Sequence, residues 1–364
     1  MKRLRIILIS AVLVTLIAIV SCLATRDDNV ISSQPKNIIL FIGDGMGVSQ
    51  LTAAISVAGA PMHIEGMPVT GLAKTSAYDR FVTNSPAAST AMATGIKTRS
   101  NMVGVAPDST VVENIVEIAK RNGLSTGVVS TSSVTHATPA AFVAHVPSRY
   151  DYEDIALYYL NGYIDVFMGG GLRNFTMRSD SLNLLERLRN DGYSIATSPE
   201  ELEEVRSGRL AGIFYNNHMP GLREGRSVSL PEMTKKAIEL LSQNDKGFFL
   251  MVEGALIDFA GHDNDIDYII LETLDMDEAV GEAIAFAAAA GNTLVIVTAD
   301  HETGGMALTG GDLKERRVVA AWPTTGHTAT MVPVFAYGAG AEKFGGIMEN
   351  TELFERMIMG LGIK

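Results

Sequence analysis

Four stretches of this sequence set cation-binding side chains at the ends of apolar runs. In EGALIDFAGHD, Asp258 and His262 stand four residues apart, and Glu253 closes the preceding run FFLMV. Asp and His at that spacing share one face if the turn is helical, which suits two ligands of one cation, while Glu253 can serve a neighbouring ion. TLVIVTADHE carries adjacent Asp300 and His301, TTGHTATMVPV places His327 just ahead of another apolar run, and NIILFI is followed by GDGMG, where glycines flank Asp44. Taken singly, an Asp behind a strand is most often a helix N-cap, and each histidine is more often structural than a ligand. Taken together, three histidines and several acids at strand ends point to metal. Mixed His and carboxylate sets suit zinc, and an oxygen-only set suits magnesium.

A nucleophile candidate lies in TNSPAASTAMATG. Pro86 favours the first helical position and an alanine-rich segment follows, so Ser85 is expected at the N-cap. There the positive end of the helix favours both an alkoxide and a phosphate. Read alone, the same serine is a plain cap.

The elements that must position these residues follow from periodicity. Asn37 to Ile42, Ser125 to Ser130, Asp165 to Met168, Phe248 to Val252 and Thr293 to Thr298 read as strands. Val111 to Arg121, Ser181 to Asn190, Pro231 to Leu241 and Asp275 to Ala290 read as helices. Strands that are apolar throughout are covered on both faces, which predicts an α/β fold with a doubly wound, mostly parallel central sheet flanked by helices. In such sheets ligands bind beyond the carboxyl ends of the strands, where the acids and histidines stand. Residues 172–230 pattern weakly and read as surface excursions of the same domain.

The chain has 364 residues, 47% of them hydrophobic, and a formal net charge of −12. That charge argues against specific nucleic-acid binding. The N-terminus runs from Lys2, Arg3 and Arg5 into an uncharged apolar stretch, the pattern of an export signal over residues 1–21. Its removal takes away three positive charges and no acid, leaving −15. Ile19-Val20-Ser21-Cys22 resembles a bacterial lipobox, so Cys22 is expected to become a lipidated N-terminus, with 22–35 as a tether and 36–364 as one catalytic domain. The expected location is the bacterial periplasm or cell envelope, anchored to membrane through that lipid. Cys22 is the one cysteine, which excludes intramolecular disulfides and any Cys-rich zinc site.

The order of Asp44, Ser85 before its Ala-rich helix, HATPAAFVAHVPSR, VEGALIDFAGH, TADH and TGH resembles the alkaline phosphatase family over roughly residues 36–340. The resemblance implies an alkaline-phosphatase-like fold and hydrolysis of small-molecule phosphate monoesters through a phosphoserine on Ser85, with two Zn2+ and one Mg2+. It assigns Asp258, His262 and His327 to the first zinc, and Asp44, Asp300 and His301 to the second. Asp44 would also serve magnesium, together with Thr138 and Glu253, and Arg149 would grip the phosphate. Homodimerisation is a further family expectation. The sequence departs from the common pattern at Asn84, often Asp in the family, and at His136 and Phe259, where members vary. His136, two residues before Thr138, could lie beside the third site. The competing readings are a phosphodiesterase or other hydrolase of the same metal-dependent superfamily, and a binding lipoprotein without turnover.

Overall fold

The computed structural model describes residues 34–363. The expected leader, Cys22 and nearly all of the tether lie outside the described residues. The strands, in chain order, are β1 (Asn37–Gly43), β2 (Val69–Lys74), β3 (Ser125–Ser133), β4 (Val166–Gly170), β5 (Tyr193–Ala196), β6 (Arg209–Tyr215) and β7 (Phe248–Gly254). They continue with β8 (Thr293–Thr298), β9 (Glu302–Thr303), β10 (Ala307–Asp312), β11 (Arg317–Ala321), β12 (His327–Thr328), β13 (Val332–Gly338) and β14 (Gly346–Glu349). Ten of them form one sheet in the order β14-β2-β13-β8-β1-β7-β3-β4-β6-β5. Within it β13 runs antiparallel to both neighbours, and every other pairing is parallel. β10 and β11 pair as a separate ribbon, and β9 and β12 form a short antiparallel bridge.

β1, β7 and β8 are buried along their whole lengths, as apolar strands with helices on both faces must be. The helices Ile115–Arg121, Leu230–Leu241, Ile266–Ala290 and Asn350–Leu361 pack against the sheet. The doubly wound, mostly parallel expectation therefore holds, and β1, β3, β4, β7 and β8 fall where periodicity put them. Residues 172–230 contribute β5 and β6, which extend the same sheet to its edge. The helix expected from Asp275 begins at Ile266 instead, because the Asp265 side chain accepts from Tyr268 N and caps an earlier start. Among the described residues no helix is long and apolar enough to cross a membrane.

Parallel pairing brings the carboxyl ends of β8, β1, β7 and β3 to one side of the sheet. Asp44 follows β1 directly, Glu253 is the penultimate residue of β7, Asp300 and His301 come just after β8, and Thr138 sits in the short helix Ala137–Ala141 after β3. Four segments distant in sequence thus converge on one small volume.

Candidate active site

Ser85 opens the helix Ser85–Thr94, every residue of which is buried. The expectation that Ser85 is the N-cap is corrected: Asn84 holds that position in extended conformation, and its carbonyl accepts the first helical bond from Ala88 N at 3.0 Å. The Asn84 side chain makes no cap; its Nδ2 donates to Asn101 Oδ1 at 2.9 Å. Ser85 takes the first helical position and Pro86 the second, so the Ser85 hydroxyl is not consumed by capping. Ser85 Oγ lies 3.3 Å from His301 Nε2 at the edge of the acid cluster.

The turn after β7 is helical, Leu256–His262, and puts Asp258 and His262 on one face as their spacing predicted. His262 Nε2 stands 3.3 Å from Asp258 Oδ2, and His327 Nε2 lies 3.6 Å from Asp258 Oδ1 and 3.2 Å from His262 Nε2. Two imidazoles and a carboxylate therefore turn their ligand atoms toward one point. The other ring nitrogens are fixed by backbone carbonyls, His262 Nδ1 by Thr325 O at 2.6 Å and His327 Nδ1 by Thr83 O at 3.1 Å. This is the support that metal-binding imidazoles need.

A second group is formed by Asp44, Asp258 and His301. Asp300 adjoins it, with its Oδ2 3.1 Å from His301 Nε2, while its Oδ1 accepts from Gly45 N at 3.1 Å and His301 N at 2.9 Å. A third group is formed by Asp44, His136 and Glu253. Thr138 Oγ1 donates to Asp44 Oδ2 at 3.4 Å there. Glu253 Oε2 accepts from Ser130 Oγ, and from Ser132 Oγ at 3.2 Å. His136, expected beside the third site, contributes a candidate ligand atom to it.

Burial sets the electrostatics. Asp44, Glu253, Asp258 and Asp300 are all buried within one cluster. Burial, reinforced by Asp300, lifts the Asp44 carboxyl well above the carboxylate range. Burial pushes Glu253 up to about 7 despite the hydrogen bond from Ser130. Burial opposes the charge on Asp258 too, but the His262 hydrogen bond and the His301 and His327 rings hold that carboxyl below its usual value. The Asp258 contact raises His262 to about 9, whereas burial and His301 lower His327 to about 4. Without cations Asp44 and Glu253 keep protons that exposed acids would release.

Three buried carboxylate oxygens, Asp44 Oδ1, Glu253 Oε1 and Asp300 Oδ2, have no hydrogen-bond partner. Unpartnered buried oxygens are costly, and their convergence with imidazoles is what bound cations would satisfy. The residues present fit metal at all three positions. The donor sets with histidine suit zinc, and the set with Thr138 and Glu253 suits a harder ion, although the His136 imidazole brings a softer ligand to it.

Arg149 reaches the cluster through His136, whose Nε2 accepts from Arg149 Nη2 at 2.6 Å, and the Arg149 Nε is buried without a partner. Among the described residues no carboxylate pairs with Arg149. Burial and Arg149 keep His136 well below its ordinary value, hence neutral. Of the remaining histidines, His145 is structural, set between Gly104 O and Glu117 Oε1. His218 borders the site, its ring packing edge-on against His136 and Phe259. Sequence reasoning also missed Ser130, Ser132 and Thr303, the last of which donates to Asp258 Oδ1 and lies 3.3 Å from His301 Nδ1. The outer face of the first group opens on a cleft of about 420 Å³ lined by Arg80, Val82, Thr83, His262, Gly326 and His327.

A family model described as alkaline phosphatase matches residues 35–320. Alkaline phosphatase 4 of Bacillus subtilis (strain 168) is 34% identical, covering 87% of this chain and 87% of its own length. The alkaline phosphatase of Escherichia coli (strain K12) is 35% identical, covering 94% of this chain and 89% of its own. The structure of alkaline phosphatase from the Antarctic bacterium TAB5 superposes with a TM-score of 0.86 at 42% identity, over 92% of this chain and 99% of that one. A mutant of the TAB5 enzyme with a histidine replaced by aspartate has the same TM-score, with Mg bound in its M3 site. The Thermus thermophilus enzyme also gives 0.86, at 26% identity over 92% and 93% of the two chains. The chain therefore belongs to the alkaline phosphatase family, enzymes that hydrolyse phosphate monoesters with the help of metal ions and through a phosphoserine.

Proposed function

We propose that Ser85 is the nucleophile of this phosphomonoesterase, and the observation that carries the reading is its hydroxyl, free of helix capping and facing His301 Nε2 at 3.3 Å at the edge of the acid cluster. Asp258, His262 and His327 hold one zinc; Asp44, Asp300 and His301 hold a second; Asp44, Thr138 and Glu253 hold magnesium, with His136 beside it. Bound there, the cations supply charge neutralisation for the phosphate and for both in-line oxygens, and they make the serine hydroxyl and a water more acidic. Ser85 Oγ attacks phosphorus as the ester oxygen departs on the opposite side, leaving a phosphoserine. The alcohol exits by the cleft that His262 and His327 line. Water then attacks along the same axis and releases inorganic phosphate, returning Ser85. Arg149 presents its planar fork to two non-bridging oxygens, a geometry suited to a monoester dianion.

The third position is the one whose metal identity this chain's own residues can bias. A TAB5 enzyme with aspartate in place of a histidine carries Mg in its M3 site, which supports testing the aspartate variant here. His136→Asp should make activity more dependent on magnesium; an unchanged magnesium titration would mean that His136 points its free nitrogen elsewhere.

Outside the described residues, we propose export and lipidation at Cys22, which would tether the enzyme to the bacterial cell envelope, and association as a homodimer. The assay that tests the activity compares an aryl phosphate monoester with the matching diester, with and without added zinc. Preference for the diester would move the chain to the related phosphodiesterases. Detergent partitioning of wild type against Cys22→Ser tests the anchor, and sedimentation tests the dimer.

A further inference from the structure

Glu302, the residue after His301, is buried beside the site and belongs to none of the three ligand groups. Its carboxylate is surrounded by donors. Oε1 accepts from Gln50 Nε2 at 2.8 Å and Met306 N at 3.0 Å. Oε2 accepts from Gly305 N at 3.1 Å and from Thr328 Oγ1. No lysine, arginine or histidine forms an ion pair with it among the described residues. A buried acid with only neutral donors around it is held for its geometry, since neutral hydrogen bonds do not cancel its charge.

Those donors come from three segments that also carry proposed ligands. Gln50 lies in the helix Val48–Val57, which follows Asp44, and Glu302 sits so close to Gly47 that a Cβ there would collide with its Cγ. Gly305 and Met306 close the turn after Thr303, the residue whose hydroxyl touches Asp258. Thr328 is the neighbour of His327, and its pairing with Glu302 is half of the two-residue bridge between β9 and β12. Besides the bridge, the His327 segment is tied by Thr83 O at the ring, by His262 Nδ1 on Thr325 O at 2.6 Å, by Gly304 N donating to Gly326 O at 2.8 Å, and by the His301 ring stacked on that of His327.

We infer that Glu302 is a positioning residue for the first metal site, holding His327 in register through Thr328 while bracing the turn that supports Asp258. The inference rests on Asp258, His262 and His327 being ligands of one ion. Partners hydrogen-bonded directly to a ligand change affinity by about 10- to 100-fold when lost, and Glu302 acts one residue further out, through Thr328, so the lower end of that range is the upper bound for it.

The chemistry selects the variants. Glu302→Gln keeps the shape but sets an NH2 group against at least one backbone donor, Gly305 N or Met306 N, so at least one bond of the cluster is lost. Thr328→Val removes only the hydroxyl that joins Glu302 to the His327 strand and leaves every proposed ligand in place. Metal release from the zinc- and magnesium-loaded protein would be followed with a colorimetric chelator, and metal content would be checked by elemental analysis. One zinc equivalent should leave faster from Glu302→Gln, by up to about 10-fold. Thr328→Val should speed the same equivalent by a smaller factor, the remaining metal should leave at wild-type rates, and the double variant should exceed Glu302→Gln only slightly. Uniformly faster release of all metals would make Glu302 a general structural acid and overturn the inference. Wild-type release from Thr328→Val would do the same, and that outcome can be read even if Glu302→Gln does not fold. A His327→Ala protein with a full, tightly held metal complement would instead remove the ligand reading on which the inference rests.

Discussion

Ser85 is buried at the start of its helix while Asn84 takes the capping position, and this division leaves the Ser85 hydroxyl free of capping and facing His301 Nε2 at 3.3 Å. Ser85→Ala should therefore keep its metals and lose the covalent intermediate; labelled phosphate trapped on that variant at low pH would show that another residue is the nucleophile. In the proposed role Arg149 should separate monoesters from diesters, because a diester has one of the oxygens the fork would grip blocked by its second group. Loss of a charge-assisted contact of this kind costs about 2 to 3 kcal/mol. That is roughly a 30- to 150-fold fall in kcat/KM on monoesters. The lower end is expected, since Arg149 is steadied by the neutral His136 and not by an ion pair. Arg149→Ala should narrow the monoester-to-diester ratio, and equal losses on both substrates would make it a scaffold residue. At this scale the sequence was legible where a strongly ligating side chain followed an apolar run, as at Asp44, Glu253, Asp300 and His301. Ser130, Ser132, Thr303 and Glu302 were not legible, because a hydroxyl or acid that supports a ligand is identified by where it points and not by its type.

The elements explain both the precision of the site and what the sequence hid. Completely apolar strands at the sheet centre announced themselves by composition, whereas β2 has mixed burial, β5 is four residues long at an edge, and β13 runs against the rest. Such strands carry half-exposed residues whose alternation is broken by packing partners that a local pattern does not contain. The turn after β1 illustrates the tolerance of the site. Gly45 has φ +72, and a Cβ there would lie 2.7 Å from Thr303 Oγ1 and 2.9 Å from both Asp258 Cα and Oδ1. A side chain would strain the backbone by about 1–3 kcal/mol and push on the backbone of a proposed ligand. Gly45→Ala should fold with reduced metal content and far lower activity, while Gly66→Ala, with open space around its Cβ, should stay within about 0.5 kcal/mol of wild type. Elemental analysis and thermal melts of the two proteins provide the check, and full metal occupancy in Gly45→Ala would contradict the crowding argument.

For the whole molecule, the lack of any intramolecular disulfide makes the metal cluster a principal cross-link among β1, β3, β7, β8 and the His327 segment. An ion held 1,000-fold below its working concentration adds about 4 kcal/mol of stability. In a chain of 364 residues that is roughly 5 to 6 °C in Tm per ion. Chelation should lower Tm accordingly, and zinc with magnesium should restore it. The metal-free protein should also respond to pH in a defined direction. His262 is raised to about 9 in the fold, His301 is raised by Asp300 against its burial, and Glu253 is raised to about 7 by burial, with Asp44 shifted the same way. Unfolded, these groups return to ordinary values, about 6.5 for histidine and 4 for the acids. Between pH 9 and 7 the folded form therefore binds more protons than the unfolded form, and stability increases as pH falls. Below about pH 6.5 the trend is opposed by His327, lowered to about 4, and by His136, also lowered, because both gain protons more readily in the unfolded chain. The chelated protein should thus gain Tm from pH 9 to pH 7 and then level. Bound metal removes that proton uptake, so the loaded protein should not share the rise. A stripped protein whose Tm falls steadily from pH 9 to 7 would show that the buried carboxylates and histidines are not charged against one another in the way their geometry requires.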